Sequence, residues 1–266
     1  MDDPTPLPRV GDHRRLADDA FRLLADGTRL SILKALWDGH DPMDPSPMTF
    51  SELRERLGVD DPGRLNYHLG KLTTHFIRRT DDGYELREVG KRIMRVVVSG
   101  MAVDDIMIDP VQIDVSCIFC DGPTEIFYED GFLAHRCTGC TSRCVVDYPP
   151  SVLSREELPP AVLLDRTNDE IYYLNRVWMA NREESAKNGV CPECAGSMPV
   201  ASIRICEDHD PDPTHDEVCE TCGSIFWGMV YLVCDVCKFF LKLPTLMYPP
   251  SHPAVIAFYY DHGIEF

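Results

Sequence analysis

"DPGRLNYHLGKLTTHF", residues 61–76, decides how the first part of the chain is read. Asp61 stands where a helix N-cap belongs, and Pro62 follows at the first helical position, where a missing N–H costs nothing. At roughly 100° per residue, Leu65, Leu69 and Leu72 share one side and must pack inward. Arg64, Tyr67, Gly70, Lys71 and Thr74 lie opposite, with Asn66 between the two faces. His68 flanks the apolar side, so it reads as a packed or hydrogen-bonding residue rather than a reader of bases.

Upstream, "LADDAFRLLAD" (16–26) shows helical period from Ala17, with Leu16, Ala20, Leu23 and Leu24 on one face. "TRLSILKALWDG" (28–39) repeats it with Leu30, Ile32, Leu33, Leu36 and Trp37, closed by Gly39 as C-cap. The Pro-rich loop "DPMDPSPM" (41–48) leads to a short helix in "TFSELRERLG" (49–58), with Ser51 as the expected N-cap. Downstream, "FIRRTDDGYEL" (76–86) reads as two strands around an Asp-Gly turn. "REVGKRIMRVVVSG" (87–100) closes the unit with a helix. Its Ile93, Met94, Val96, Val97 and Val98 are too apolar for a solvated face, so they form a dimer surface or pack on their own domain.

Helices, a hairpin and a final helix in this order describe a winged helix-turn-helix over residues 13–100, after a disordered lead at 1–12. "LLADGTRLSILKALW", "FSELRERLG" and "LNYHLGKL" resemble the ArsR-type winged helices of archaeal transcriptional regulators, over roughly residues 17–98. The resemblance implies double-stranded DNA as partner and a homodimer whose half-sites lie one helical turn apart. On such a recognition helix Arg64 or Lys71 can reach guanine O6/N7, Asn66 can pair with adenine, and Tyr67 can touch thymine methyls or phosphate. Thr74 faces the same groove, and Arg78 and Arg79 are natural phosphate ligands. The acidic tip Asp81–Asp82–Gly83 speaks against insertion into a minor groove.

Charge separates the chain into two parts. The total is −18, yet residues 1–100 carry 16 basic against 17 acidic side chains and residues 101–266 carry 10 against 27. Residues 62–95 reverse the sign, with eight basic and four acidic side chains, as a nucleic-acid footprint would. Only six of the 26 basic residues are Lys, a composition similar to that of proteins from salt-loving archaea. No apolar run is long enough to span a bilayer, and "MDDPTPLPRVGDHRR" has no apolar signal core, so a cytoplasmic protein is expected.

All twelve Cys lie beyond residue 116. Cytoplasmic thiols stay reduced, which favours metal over disulfides. Cys117-x2-Cys120-x16-Cys137-x2-Cys140 has the spacing of a zinc ribbon, placed at 110–150, with "TEIFYEDGFLAHR" supplying two strands around Asp130–Gly131. Cys144 is spare and reads as a buried small hydrophobe, with a regulatory thiol or alternate ligand as the other reading. Cys191, Cys194, Cys206, His209, Cys219, Cys222, Cys234 and Cys237 make a second set of eight ligands, so up to three structural Zn²⁺ are expected per chain. His209 has knuckle spacing from Cys206; His215 competes with it. Sequential pairing is slightly favoured by the repeated 11-residue interval, while nested pairing and a RING-type interlaced pairing stay open. Ile171, Leu174, Trp178 and the Asn188–Gly189 stop mark a long amphipathic helix in a helical connector, 151–189. The second zinc module, 190–266, ends in a short helix at "SHPAVIAFYYDHG" (251–263), where Phe258, Tyr259 and Tyr260 are core or interface residues. That ending and the CPEC knuckle resemble the C-terminal zinc-ribbon domain that accompanies the same winged helix in halophilic archaeal regulators.

The expected fold class is therefore α+β: a winged helix-turn-helix followed by small zinc-ribbon modules joined by helices. The expected function is sequence-specific DNA binding in transcription regulation, with the acidic zinc-bearing half serving dimerisation, contact with another protein, or sensing. The rival is a zinc-ribbon or RING-like adaptor whose winged helix docks protein. HExxH, GxSxG, Walker and GxGxxG patterns are all absent from the sequence, and four-thiolate sites leave zinc no open position, so no enzyme is expected.

Overall fold

The computed structural model describes residues 14–101, 106–210, 218–247 and Tyr260. The disordered lead, His215 and the C-terminal helix expected at 251–263 fall outside these residues, Tyr260 apart. The chain is α+β, with helices and small antiparallel sheets, and it divides into two compact units, Met1–Ala102 and Val103–Phe266.

Unit 1 runs α1 (Arg14–Leu24), α2 (Gly27–Asp38), α3 (Phe50–Leu57), α4 (Pro62–Leu72), β1 (Ile77–Arg79), β2 (Tyr84–Leu86) and α5 (Glu88–Val98). Asp26 caps α2 by accepting the Arg29 N–H, and Gly39 closes it. Asp61 caps α4, accepting the Gly63 N–H at 2.8 Å, with Pro62 opening the helix as its sequence implies. The α3 cap differs from the expectation: Thr49 holds the position, not Ser51. Thr49 Oγ1 accepts the Glu52 N–H at 3.2 Å while the Glu52 carboxylate accepts the Thr49 N–H at 2.8 Å. This reciprocal box satisfies two otherwise orphaned donors, which Ser51, already inside the first turn, cannot do.

The apolar faces of these helices meet in one core, where Ile32, Leu33, Leu53, Leu65, Leu72, Ile77 and Met94 are wholly buried. Burying each such side chain contributes about 1.5–3 kcal/mol, enough to hold short helices that are marginal alone. Met48 and Tyr84 exchange both backbone hydrogen bonds, at 2.9 and 2.8 Å, so the Pro-rich loop is tied to the hairpin. In α5, Met94, Ile93 and Val97 join the core of their own unit, while Val96 and Val98 are exposed.

Unit 2 contains β3 (Ile108–Ser116), β4 (Pro123–Glu129), β5 (Phe132–Cys137) and β6 (Val152–Glu157), antiparallel in sequence order. Asp130 and Gly131, at φ 52° and 81°, make the β4–β5 turn with both residues left-handed, as Asp-Gly allows. The segment expected as a wholly helical connector begins instead with β6, because Val152 and Leu153 bury against the sheet. The helix that follows, α6 (Asn168–Lys187), starts at a Thr167/Glu170 capping box. Its first turn places Ile171 against Ile113, Ile126, Tyr128 and Leu133 of the sheet. Its last turns place Ala186 and Met179 against a second sheet, β7 (Val200–Ile205), β8 (Gly228–Val233) and β9 (Phe240–Pro244), ordered β7-β8-β9. No helix among the described residues is long and apolar enough to cross a membrane.

Candidate metal centres and a basic helix face

Four of the Cys-x2-Cys steps fold into one repeated turn. At Cys117, Cys191, Cys219 and Cys234 the Cys N–H donates to the carbonyl five residues on. The Cys carbonyl in turn accepts the N–H four residues on. The donor of that second bond is left-handed each time: Asp121, Ala195, Gly223 and Lys238, at φ 53–65°. The turn brings further backbone N–H groups onto sulfur, as when Val236 and Cys237 both donate to Cys234 Sγ at 3.4 Å.

Chain topology decides which knuckles meet. Cys117, Cys120, Cys137 and Cys140 form one group; Cys191, Cys194, Cys234 and Cys237 a second; Cys206, His209, Cys219 and Cys222 a third. Ligand atoms within each group lie within 4.8 Å of one another. In the first two groups the closest sulfurs are 3.5–3.8 Å apart. A tetrahedron with Zn–S arms of about 2.3 Å has edges of about 3.8 Å, so the donor sets fit zinc. The slightly favoured sequential pairing is overturned in favour of the nested one. β8 runs antiparallel to β7, with Ile205 opposite Gly228 and Val200 opposite Leu232. One end of the hairpin therefore gathers 206/209 with 219/222, and the other gathers 191/194 with 234/237.

His209 completes the third group, its Nδ1 3.3 Å from Cys222 Sγ. Backbone N–H groups favour the thiolate at one Cys of each group. The Cys237 N–H, ahead of the opposing effect of burial, brings Cys234 down to about 6. The Cys222 N–H does the same foremost for Cys219, also to about 6. At Cys137 burial pushes upward, and the N–H groups of Gly139 and Cys140 overcome it to leave about 7. Cys144 joins none of these groups, and burial with the nearby Cys117 and Glu156 charges pushes it up to about 11. Its backbone is used instead. The Cys144 carbonyl accepts the Ile225 N–H at 3.1 Å and Val146 donates to Gly223 at 2.7 Å, strapping the third-site knuckle in place.

One residue with a large role carries no Cys-like signal. Arg182 on α6 is 8% exposed, its guanidinium 4.7 Å from the Phe239 ring and 5.5 Å from Trp178. It pairs with Glu193, inside the CPEC knuckle, at 2.5 Å and with Glu157 of β6 at 3.8 Å. The i, i+4 spacing of Trp178 and Arg182 is its only trace in the sequence.

On α4, Leu65, Leu69 and Leu72 are at most 1% exposed, while Arg64, Asn66, Tyr67, Gly70 and Lys71 face solvent, as does Thr74 just beyond the helix. Asn66, expected between the faces, joins the outer one. His68 is buried, with its Nδ1 3.7 Å from Asp26. Lys71 Nζ sits over the Tyr67 ring at 5.6 Å, and Arg64 Nη2 lies 3.5 Å from Thr28 Oγ1. The Thr74 hydroxyl donates to the Lys71 carbonyl at 2.7 Å. Arg78 is paired with Glu85 at 2.6 Å, so its charge is already shared, and Arg79 lies over Tyr84 at 6.0 Å.

Residues 17–97 match a domain of unknown function, DUF7347, and residues 114–266 match a second, DUF7351. No curated protein and no solved structure matches the chain.

Proposed function

Since the chain belongs to the DUF7351 family of domains of unknown function, its work has to be argued from its own residues. We propose that it is a sequence-specific DNA-binding transcriptional regulator. In this reading unit 1 is a winged helix-turn-helix of the ArsR type, and unit 2 carries three structural zinc ions in the reducing cytoplasm. The element order α1 to α5, with the β1–β2 hairpin as the wing, supports the first part. The three donor groups support the second.

The observation that carries the proposal is the outer face of α4. Arg64, Asn66, Tyr67 and Lys71 stand together in water while the leucines behind them fix the helix to the core. This row of a guanidinium, an amide, a phenol and an ammonium carries two positive charges on the outer face of a helix in a protein of net charge −18, a local reversal of sign that suits a phosphate-bearing partner. Each of these groups has a base-edge or phosphate partner in a major groove. Arg79 extends the row toward a phosphate backbone more readily than Arg78, which Glu85 already holds. Zinc would stabilise unit 2 by closing its knuckles, with the thiolates held by backbone N–H groups and His209 completing the third set. The nested pairing is not the interlaced cross-brace of a RING, so the rival adaptor reading keeps only its zinc-ribbon form.

The test is fluorescence anisotropy with DNA from upstream of the chain's own gene, at the salt of its host. Sequence-preferring binding is expected, and Arg64→Ala with Lys71→Ala should weaken it by about 1–3 kcal/mol per lost contact. Unchanged affinity in a variant that keeps its zinc would sink the reading.

A further inference from the structure

Among the described residues, the outer edge of β7 is more open than the edges of the four-stranded sheet or of β9. Each residue of β7 is exposed, with Ile203 at 57% and Ile205 at 59%, and Trp227 extends the apolar strip at 48%. Native sheets blunt their free edges with charge, Pro or bulges. The first sheet does so at both sides, with Asp109, Pro110 and Asp114 in β3 and Arg155, Glu156 and Glu157 in β6. β9 carries Lys242 and Pro244. β7 reads VASIRI: it has one charge, Arg204, whose guanidinium is stacked over Tyr231 at 4.8 Å, and one irregularity near its start, between Val200 and Ser202.

We propose that β7 is a homodimer interface, pairing antiparallel with β7 of a second copy to make a continuous six-stranded sheet. Backbone geometry narrows the register and the side chains brought together select it. Cys206 donates to the Trp227 carbonyl at 2.8 Å, in step with Arg204 opposite Met229 and Ser202 opposite Tyr231. Residues 202, 204 and 206 thus turn their backbone groups toward β8. By the alternation of antiparallel ladders, Ile203 and Ile205 turn theirs outward. A two-fold axis at Ile203 then lets Ile203 exchange both hydrogen bonds with its own copy. Ile205 meets the small Ala201, and Arg204 meets Ser202. An axis at Arg204 would also let Ile203 and Ile205 exchange hydrogen bonds, but it would oppose two guanidinium groups in the close non-hydrogen-bonded pair. One at Ile205 sets Glu207 beside Ile203, and one at Ala201 sets Pro199, which has no N–H, beside Ile203.

The self-complementary register, Ile203 against itself and Ile205 against Ala201, argues that the occupant is a second copy, and the charge pattern leaves room for one here. Residues 101–266 carry 10 basic against 27 acidic side chains, so two copies repel over most of their surface. The stretch SMPVASIRIC, residues 197–206, has no carboxylate at all, so it offers two acidic copies a place to meet. The strand pair with its isoleucines buries on the order of 1,000 Å², the small end of specific interfaces, so the dimer is a weak one. The proposal stands on unit 2 alone and does not depend on the DNA reading.

The experiment uses the full zinc-loaded chain at low and high micromolar concentration, by sedimentation equilibrium and by amide hydrogen exchange. A monomer–dimer equilibrium is expected, with the Ile203 and Ile205 amides slowing roughly tenfold or more as dimer forms. Ile203→Lys should be monomeric with its zinc retained, while Val96→Lys on α5 should dimerise like the wild type. A wild type that stays monomeric overturns the proposal, as does a dimer that survives Ile203→Lys. Protection of the two amides that is equal at all concentrations also overturns it, because the chain then covers its own edge. If Ile203→Lys loses zinc, the exchange data on the wild type decide.

Discussion

His209 Nδ1 stands 3.3 Å from Cys222 Sγ, which makes the third donor group an imidazole with three thiolates, where the other two groups have four thiolates each. Native mass spectrometry should find three zinc ions per chain. Cys191→Ser with Cys234→Ser should retain two, because nested pairing places both residues on one ion. Sequential pairing would have that double variant injure two sites and retain one. His209→Cys should keep all three ions, and His209→Ala should give up the third ion first to a mild chelator.

Thr49→Ala should cost unit 1 about 1 kcal/mol, the usual value of an N-cap, while Ser51→Ala stays within about 0.5 kcal/mol. The Thr49 hydroxyl foremost, and then its N–H, hold the Glu52 carboxyl below its ordinary range. A depressed carboxylate adds stability that is present above the unfolded value of 4.5 and is lost as pH falls through the folded one. Urea titrations from pH 7 to pH 3 should therefore show the gap between wild type and Glu52→Gln closing at the acid end.

Helix propensity alone says that Gly90→Ala, inside α5, should stabilise by about 1 kcal/mol. Packing says the reverse. A Cβ at Gly90 would stand 2.4 Å from the Phe76 carbonyl oxygen, a backbone atom that cannot swing aside. A loss of about 1–3 kcal/mol in thermal or urea unfolding of unit 1 is expected, the cost of overpacking. A gain would show that α5 is not seated on the hairpin.

Removing the Arg182 side chain strips Glu193 of a 2.5 Å partner and leaves Phe239 and Trp178 without the guanidinium between them. Arg182→Ala should destabilise unit 2 by about 2–3 kcal/mol and speed zinc release from the Cys191 group to a chromophoric chelator. Arg182→Lys should recover less than half of the loss, because an ammonium has no plane to stack. Wild-type release rates in Arg182→Ala would remove the clamp from the account.

What the sequence determined was local. Asp61–Pro62, the leucines of α4 and the Asp130–Gly131 turn each act within one or two turns of backbone, and their own spacing or φ preference settles them. The candidate donors were equally local, since four of the five Cys-x2-Cys steps close their own turn. The tertiary structure decided what depends on distant segments meeting. The partner of the Cys191 knuckle follows from β8 running back along β7, a pairing that neither knuckle encodes. Val152 to Glu157 became a strand because β5 offered an edge, and Gly90 became obligatory because the Phe76 carbonyl lies against it. Arg182, which sequence alone would leave in water, is buried because Phe239, Glu157 and Glu193 from three other segments converge on it beside Trp178 of its own helix.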